Sequence, residues 1–178
     1  MNLKDLQKPL PIESIDFRVQ SINKGGYATI LAYKDARVDI NRLNDVCGVL
    51  GWKREHTRDN KNCIVSIWDD KNKHWVSKED TGTESMAEAQ KGLASDSFKR
   101  ACFNFGIGVE LYDYPIISIK LTKGVEWDLQ NDKPKQLFGL KLREWKWFSQ
   151  FIDGKLTYLA CKDEKGVKRF EYGQYKKA

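Results

Sequence analysis

The sequence predicts an α+β fold in which antiparallel sheet, a hairpin plus a three-stranded meander, packs on a long helix. Three observations carry this. Short runs rich in β-branched and aromatic residues recur between Asn, Asp and Gly clusters, as strands of antiparallel sheet do. Two segments, near 36–49 and 85–105, instead place apolar residues at helical spacing. The 178 residues are 40% hydrophobic, with eight Phe, seven Tyr and six Trp. That is enough for a sizeable core in one domain, or one domain with a small addition.

Residues 1–14 read as a polar lead with one helical turn, stopped by Pro9 and Pro11. Asp16–Gln20 and Tyr27–Tyr33 are strands, joined by the turn signal Asn23-Lys24-Gly25-Gly26. A helix follows from Ala36 to Val49, with Asp35 as its cap and Gly48 and Gly51 closing it. Its apolar residues are Ile40, Leu43, Val46, Cys47 and Leu50. Arg37 lies in its first turn. Arg42 lies off the apolar face, where it reads as a surface cation within reach of Asp45. Three strands come next: Trp52–Arg58, Cys63–Trp68 and Lys73–Thr81, around the turns Asp59-Asn60-Lys61-Asn62 and Asp69-Asp70-Lys71-Asn72. Lys53, Arg54, His56, Arg58 and Lys61 make the first of these hairpins basic.

The second helix is the best defined. Ser85 and Glu88 form a capping box, and Gly106 stands where a left-handed residue ends a helix. The span between is about 20 residues, roughly 30 Å. Its stripe, Ala87, Ala94, Phe98, Ala101, Cys102 and Phe105, is small enough for close approach to a sheet. Lys99 falls at the edge of that stripe, Arg100 points away from it, and Lys91 falls near its centre. Ile116–Leu121 and Val125–Leu129 read as short strands around Lys123-Gly124. The stretch 130–136, QNDKPKQ, reads as a loop and as the internal boundary. This gives a core domain at 1–129 and a β-rich C-terminal extension at 130–178. Asp153-Gly154 makes that extension a meander, with strands before it, at Lys155–Cys161 and at Val167–Tyr172.

A net charge of +6 and a pI near 9.0 favour a polyanionic partner. Cys47, Cys63, Cys102 and Cys161 are widely spaced, without a C-x-x-C pair, and read as free buried thiols. No stretch has the length and apolarity of a membrane span or a signal sequence, so a cytoplasmic, nucleoid-associated protein is expected. A phosphate loop, a nucleophile elbow and metal-spaced histidines are all missing, so neither catalysis nor a cofactor is expected. Asp69, Asp70, Asp80 and Glu84 are the residues a metal-dependent nuclease would use, although Asp is ordinary at turns.

Two blocks of residues go further. One is Asp35-Ala36-Arg37, Arg42-Leu43-Asn44-Asp45-Val46, Gly48 and Gly51-Trp52. The other runs through Gly82-Thr83-Glu84-Ser85, Glu88-Ala89-Gln90-Lys91-Gly92, Ala94-Ser95-Asp96-Ser97-Phe98-Lys99-Arg100-Ala101, Phe105-Gly106-Ile107-Gly108 and Leu111-Tyr112. Over residues 12–115 the chain resembles the Rad52 superfamily of single-strand annealing proteins, in its phage Sak and bacterial DdrA-like branch. The resemblance implies a β-β-β-α core and assembly into a homo-oligomeric ring or helical filament. It implies a phage or prophage recombinase that binds single-stranded DNA and anneals complements without ATP. A host single-strand binding protein or a phage exonuclease would be its partner in recombination and double-strand-break repair.

By that resemblance Lys99 and Arg100 match the groove-lining Lys-Arg pair. Arg37 matches another groove cation after a one-residue shift. Lys91, Lys53, Arg54 and Arg58 complete the expected DNA-binding set. Three positions depart from what the resemblance implies: Phe103 stands where the eukaryotic members have an Arg one turn after the pair, and Phe105 and Val109 replace the Trp and Arg of the W-G-I-G-R of the Sak and DdrA pattern. Two other readings stay open: a passive single-strand end-protecting protein, and the nuclease. Tyr27, Tyr33 and the Trp residues read as core, with base stacking as the alternative.

Overall fold

The computed structural model describes residues 2–83 and 89–177, apart from the side chains of 89–91. It is α+β, with antiparallel sheets and two α-helices among these residues. The chain forms two compact units, one of Met1–Leu10 with Lys34–Val109, the other of Pro11–Tyr33 with Glu110–Ala178.

In the first unit, helix α1 (Ala36–Cys47) starts where Asp35 accepts a hydrogen bond from the Arg37 amide and ends at Gly48, φ +74°. Strands β3 (Trp52–Thr57), β4 (Asn62–Asp69) and β5 (His74–Thr81) form one antiparallel sheet in that order. Arg58, Asp59 and Asn60 all take positive φ, so β3 ends one residue earlier than expected and Arg58 belongs to the turn. Helix α2 is described over Ala89–Phe103. Its proposed capping box, Ser85 and Glu88, lies outside the described residues. The core of this unit is Leu43, Cys63, Val65, Ile67, Leu93, Phe98, Ala101, Cys102 and Ile107. Ser97, fully buried, donates to the carbonyl of Asn60 at 3.1 Å and ties α2 to the β3–β4 turn.

Two features of this unit were not legible in the sequence. The lead is not merely polar: Leu6 and Leu10 are each 3% exposed. Arg42 holds this segment by donating to the carbonyls of Asp5 (2.8 Å) and Lys8 (2.7 Å), with longer bonds to Leu6 and Pro9. The expected surface pair with Asp45 is replaced by a clamp, because one planar guanidinium satisfies several carbonyls of a segment without regular partners.

The second is Lys34, which is 2% exposed. Its ammonium bonds Asp39 of α1, donates to the Ile107 carbonyl at 2.6 Å, and lies 4.2 Å from the Phe103 ring centre. Gly108, at φ +76°, leaves room for it, since a Cβ there would sit 3.0 Å from the Lys34 side chain. Burial pushes the Asp39 carboxyl up to about 6, against the opposing pull of Lys34. Burial and the Asp39 charge together push the Cys102 thiol up.

In the second unit, β1 (Asp16–Ile22) and β2 (Tyr27–Tyr33) form the expected hairpin. It does not join the β3–β5 meander. Its third strand is β6 (Ile117–Lys120), in the order β1-β2-β6. The segments around Lys123-Gly124 likewise do not pair with each other. β7 (Trp127–Gln130) pairs with β8 (Lys133–Gln136) across Asn131 and Asp132, both at positive φ. The expected loop at 130–136 is thus a turn and a strand. The C-terminal strands β9 (Lys146–Ile152), β10 (Lys155–Lys162) and β11 (Lys168–Gly173) form a meander in the order β11-β10-β9.

One cluster fills this unit: Ala28, Ile30, Ile117, Ile119, Trp127, Trp145, Leu159 and Cys161 are among its buried members. Phe17 stacks on Trp147 at its margin, 3.6 Å between ring centres. Arg169 closes it with bonds to Glu126 (2.9 Å) and Asp163 (3.2 Å). The four cysteines are free.

Lys34→Met should lower unfolding stability by about 3–5 kcal/mol, because it strands the buried Asp39 carboxylate. Lys34→Met with Asp39→Leu should recover most of that loss. Urea denaturation of the three proteins checks it; equal loss in single and double variants would disprove the coupling.

Candidate nucleic-acid interface

The cations singled out by sequence are sorted by the two faces of the β3–β5 sheet and the two sides of α2. Strand alternation puts Trp52, Arg54 and His56 on the face shared by Cys63, Val65 and Ile67, which are buried. Phe98 of α2 fills the centre of this face. Trp52 stacks against Phe98 with ring centres 6.1 Å apart, and its indole donates to Asn44 of α1 at 2.7 Å. The Arg54 guanidinium lies 4.6 Å from the Phe98 ring centre, so its planar head is held on an aromatic surface. Lys53 projects to the other face of the sheet, 4.6 Å from the Trp75 ring centre, and does not join Arg54. Arg58 stays exposed in the β3–β4 turn.

Lys99 and Arg100 diverge, as adjacent residues on a helix must. Lys99 is on the α1 side of α2, where its charge adds a minor downward pull on Asp35 and on Asp39, the latter still raised by burial. Arg37 reaches the same place, with its Nε 2.8 Å from Asp35. Arg37 bonding, ahead of burial, keeps the Asp35 carboxyl below its ordinary value. Arg37 is thus bonded to Asp35 at the entry of α1, and the charge of Lys99 also acts on that carboxyl.

Arg100 is on the other side, where its Nε donates to Asp80 of β5 at 3.2 Å. Asp96, one turn earlier on the helix, is not its partner. Asp96 instead accepts from the Thr83 amide and hydroxyl at 2.8 and 3.1 Å. Asp80 also accepts from Asn104 at 3.3 Å, so its carboxylate is engaged by side chains of α2 and its end. Among the described residues no group of three Asp, Glu, His or Cys gathers as metal ligands would. Glu84 and the side chain of Lys91 lie outside the described residues.

Lys78 was missed. It donates to the Asn104 carbonyl and lies 5.0 Å from the Phe105 ring centre, at the end of α2. Strand alternation was the available signal, since Lys78 shares the face of Val76 and Asp80. Asp39 was missed too, although it stands one turn before Leu43 on the apolar stripe of α1, an acid where an aliphatic side chain belongs. The departure at Phe103 has a physical cause. An Arg at that position would bring a second cation against the buried Lys34.

A sequence model described as the Rad52/22 family double-strand break repair protein matches residues 62–125. That span holds Lys99 and Arg100 but not Arg37, Lys53, Arg54 or Arg58. The single-stranded DNA-binding protein DdrA of Deinococcus radiodurans is 32% identical over 152 residues, 82% of this chain and 69% of that protein. The chain belongs to the Rad52 superfamily. The protein of the same name from Deinococcus deserti is 34% identical over 122 residues, 65% of this chain and 60% of that relative. No helix of the described residues is long and apolar enough to cross a membrane.

The cations fall into two energetic classes. Arg42 is partly buried against backbone carbonyls, so Arg42→Ala should destabilise by about 1.5–3 kcal/mol. Arg37, Lys99 and Arg100 are exposed or half-exposed, and their Ala variants should each stay within about 1 kcal/mol of the parent. Thermal melts of the four variants test the division; an Arg100 variant as unstable as the Arg42 variant would refute it.

Proposed function

We propose that this protein binds single-stranded DNA and anneals complementary strands without ATP, in recombination or double-strand-break repair of phage or prophage type. The observation that carries the reading is the accessible cation set around α2, in a chain of this superfamily. Arg37 holds one carboxylate, on which the charge of Lys99 also acts, Arg100 holds another, and Arg54 rests on an aromatic ring. Each exposed carboxylate pair is worth no more than about 1 kcal/mol, so a phosphate can displace the acid. Phosphate neutralisation by such groups is independent of sequence and leaves base edges free for a complement. Both relatives are named as single-stranded DNA-binding proteins, which supports the substrate class.

In this reading β3, β4, β5 and α2 are the β-β-β-α core, and Lys99, Arg100, Arg37 and Arg54 contact the first strand. Lys53, Arg58 and Lys91 are secondary contacts. The protein acts as a nucleoid-associated homo-oligomer, ring or filament, without a catalytic centre, alongside a host single-strand binding protein or phage exonuclease. The name of the relatives refers to binding alone, which favours end protection as the second reading. Fluorescence-monitored pairing of complementary oligonucleotides separates the two: annealing demands acceleration over the protein-free rate, and end protection predicts none.

Lys99→Ala with Arg100→Ala should lower oligo(dT) affinity and flatten its salt dependence, by about 0.7 in log–log slope for each phosphate that is no longer neutralised. Unchanged binding by the folded double variant would remove these residues from the site. Light scattering should give an oligomer with or without single-stranded DNA, and a monomer in both conditions would overturn the annealing reading.

A further inference from the structure

The β9–β11 sheet has one face in the core of its unit, through Trp147, Leu159, Cys161 and Phe170. Its other face carries an arrangement that the fold does not need. Lys146 of β9 stands directly opposite Lys162 of β10, and Lys162 stands directly opposite Lys168 of β11. All three are exposed. Strand spacing makes this a row of ammonium groups roughly 10 Å long. Like charges directly opposite across strands are destabilising. Lys168 is relieved by Glu171 at 2.5 Å. Among the described residues no ion pair involves Lys146 or Lys162.

Aromatic rings share this face. Phe148, two residues from Lys146, is 47% exposed. Tyr158 donates its hydroxyl to Glu171 at 3.0 Å and meets Tyr175 edge-on, 5.7 Å between centres. Tyr175 is itself 62% exposed.

We propose that this outward face is a second binding surface for single-stranded nucleic acid, with the lysine row on phosphates and Phe148 and Tyr175 stacking on bases. The proposal rests on the single-strand binding proposed above and gives the C-terminal strands a role in it. Lysines alone would suit any polyanion. Exposed rings beside them suit one whose bases are unpaired, because only a single strand offers base faces. The repulsion built into the row is relieved when phosphates bind.

The test uses the full chain with Lys146→Gln, Lys162→Gln and Lys168→Gln combined, and separately Phe148→Ala with Tyr175→Ala. Fluorescence anisotropy follows oligo(dT), a duplex of equal length and an acidic peptide across a salt series. The lysine variant should lose about tenfold in oligo(dT) affinity at low salt, with a slope shallower by about 2. Its melting temperature should be unchanged or raised. The aromatic variant should lose oligo(dT) affinity without a change in slope and leave duplex binding as it was. If the parent fails to bind oligo(dT), the underlying functional reading falls and takes this inference with it. If the Lys99→Ala, Arg100→Ala protein is impaired while both tail variants bind oligo(dT) as the parent does, this inference alone is overturned. Loss of peptide binding with oligo(dT) binding intact overturns it in favour of a peptide partner. An aromatic variant without effect overturns the single-strand assignment.

Discussion

A lysine with almost no solvent exposure sets the terms for the unit formed around residues 34–109. Taking an ammonium out of water costs several kcal/mol, and only close, well-placed partners offset it. Lys34 finds three, and each comes from a different place: a carboxylate on α1, a carbonyl just past α2, and a ring on α2. Those partners fix how α1 and α2 meet. The meeting of the two helices in turn decides where Arg37 of α1 and Lys99 of α2 stand. The candidate interface is therefore positioned by a charge that never reaches solvent.

The positive charge of this chain divides by what each cation has as a partner. Lys34, Arg42 and Arg169 are committed to carboxylates or carbonyls in settings where release would leave polar groups buried and unpaired. Arg37, Lys99 and Arg100 sit nearer to solvent, with Arg37 bonded to Asp35 and Arg100 to Asp80. A net charge of +6 thus overstates the charge available to a ligand near α2, and an individual lysine or arginine must be judged by its surroundings. Phe103 illustrates the same logic in reverse. Where the family pattern has a cation, this chain has a ring, because a cation already occupies the space above it.

What was legible in the sequence was local. The caps Asp35 and Gly48, the turns at Asn23–Gly26 and Asp153-Gly154, and most strand limits follow from the preferences of a few adjacent residues. Pairing partners were not legible, since β2 with β6 and β7 with β8 depend on which edges remain open after the rest has folded. Among site residues, the divergence of Lys99 from Arg100 could be read from helical geometry, and so could the separation of Lys53 from Arg54 by strand alternation. Arg42 could not, because its partners are backbone carbonyls, which leave no trace in side-chain spacing. Asp39 could have been, as a charged residue on an apolar stripe.

The order in which the chain is made gives the interleaving of its two units a further meaning. The hairpin β1–β2 is made before residues 34–109, yet its third strand, β6, comes only after all of them. Until then Ala28 and Ile30, which end fully or almost fully buried, belong to a half-sheet with an open edge. The unit of residues 34–109 can complete itself in that interval, while the hairpin waits for a distant partner. Early-made sequence thus waits on later-made sequence for its shelter, and an open strand edge in that interval is where pairing with another chain would begin.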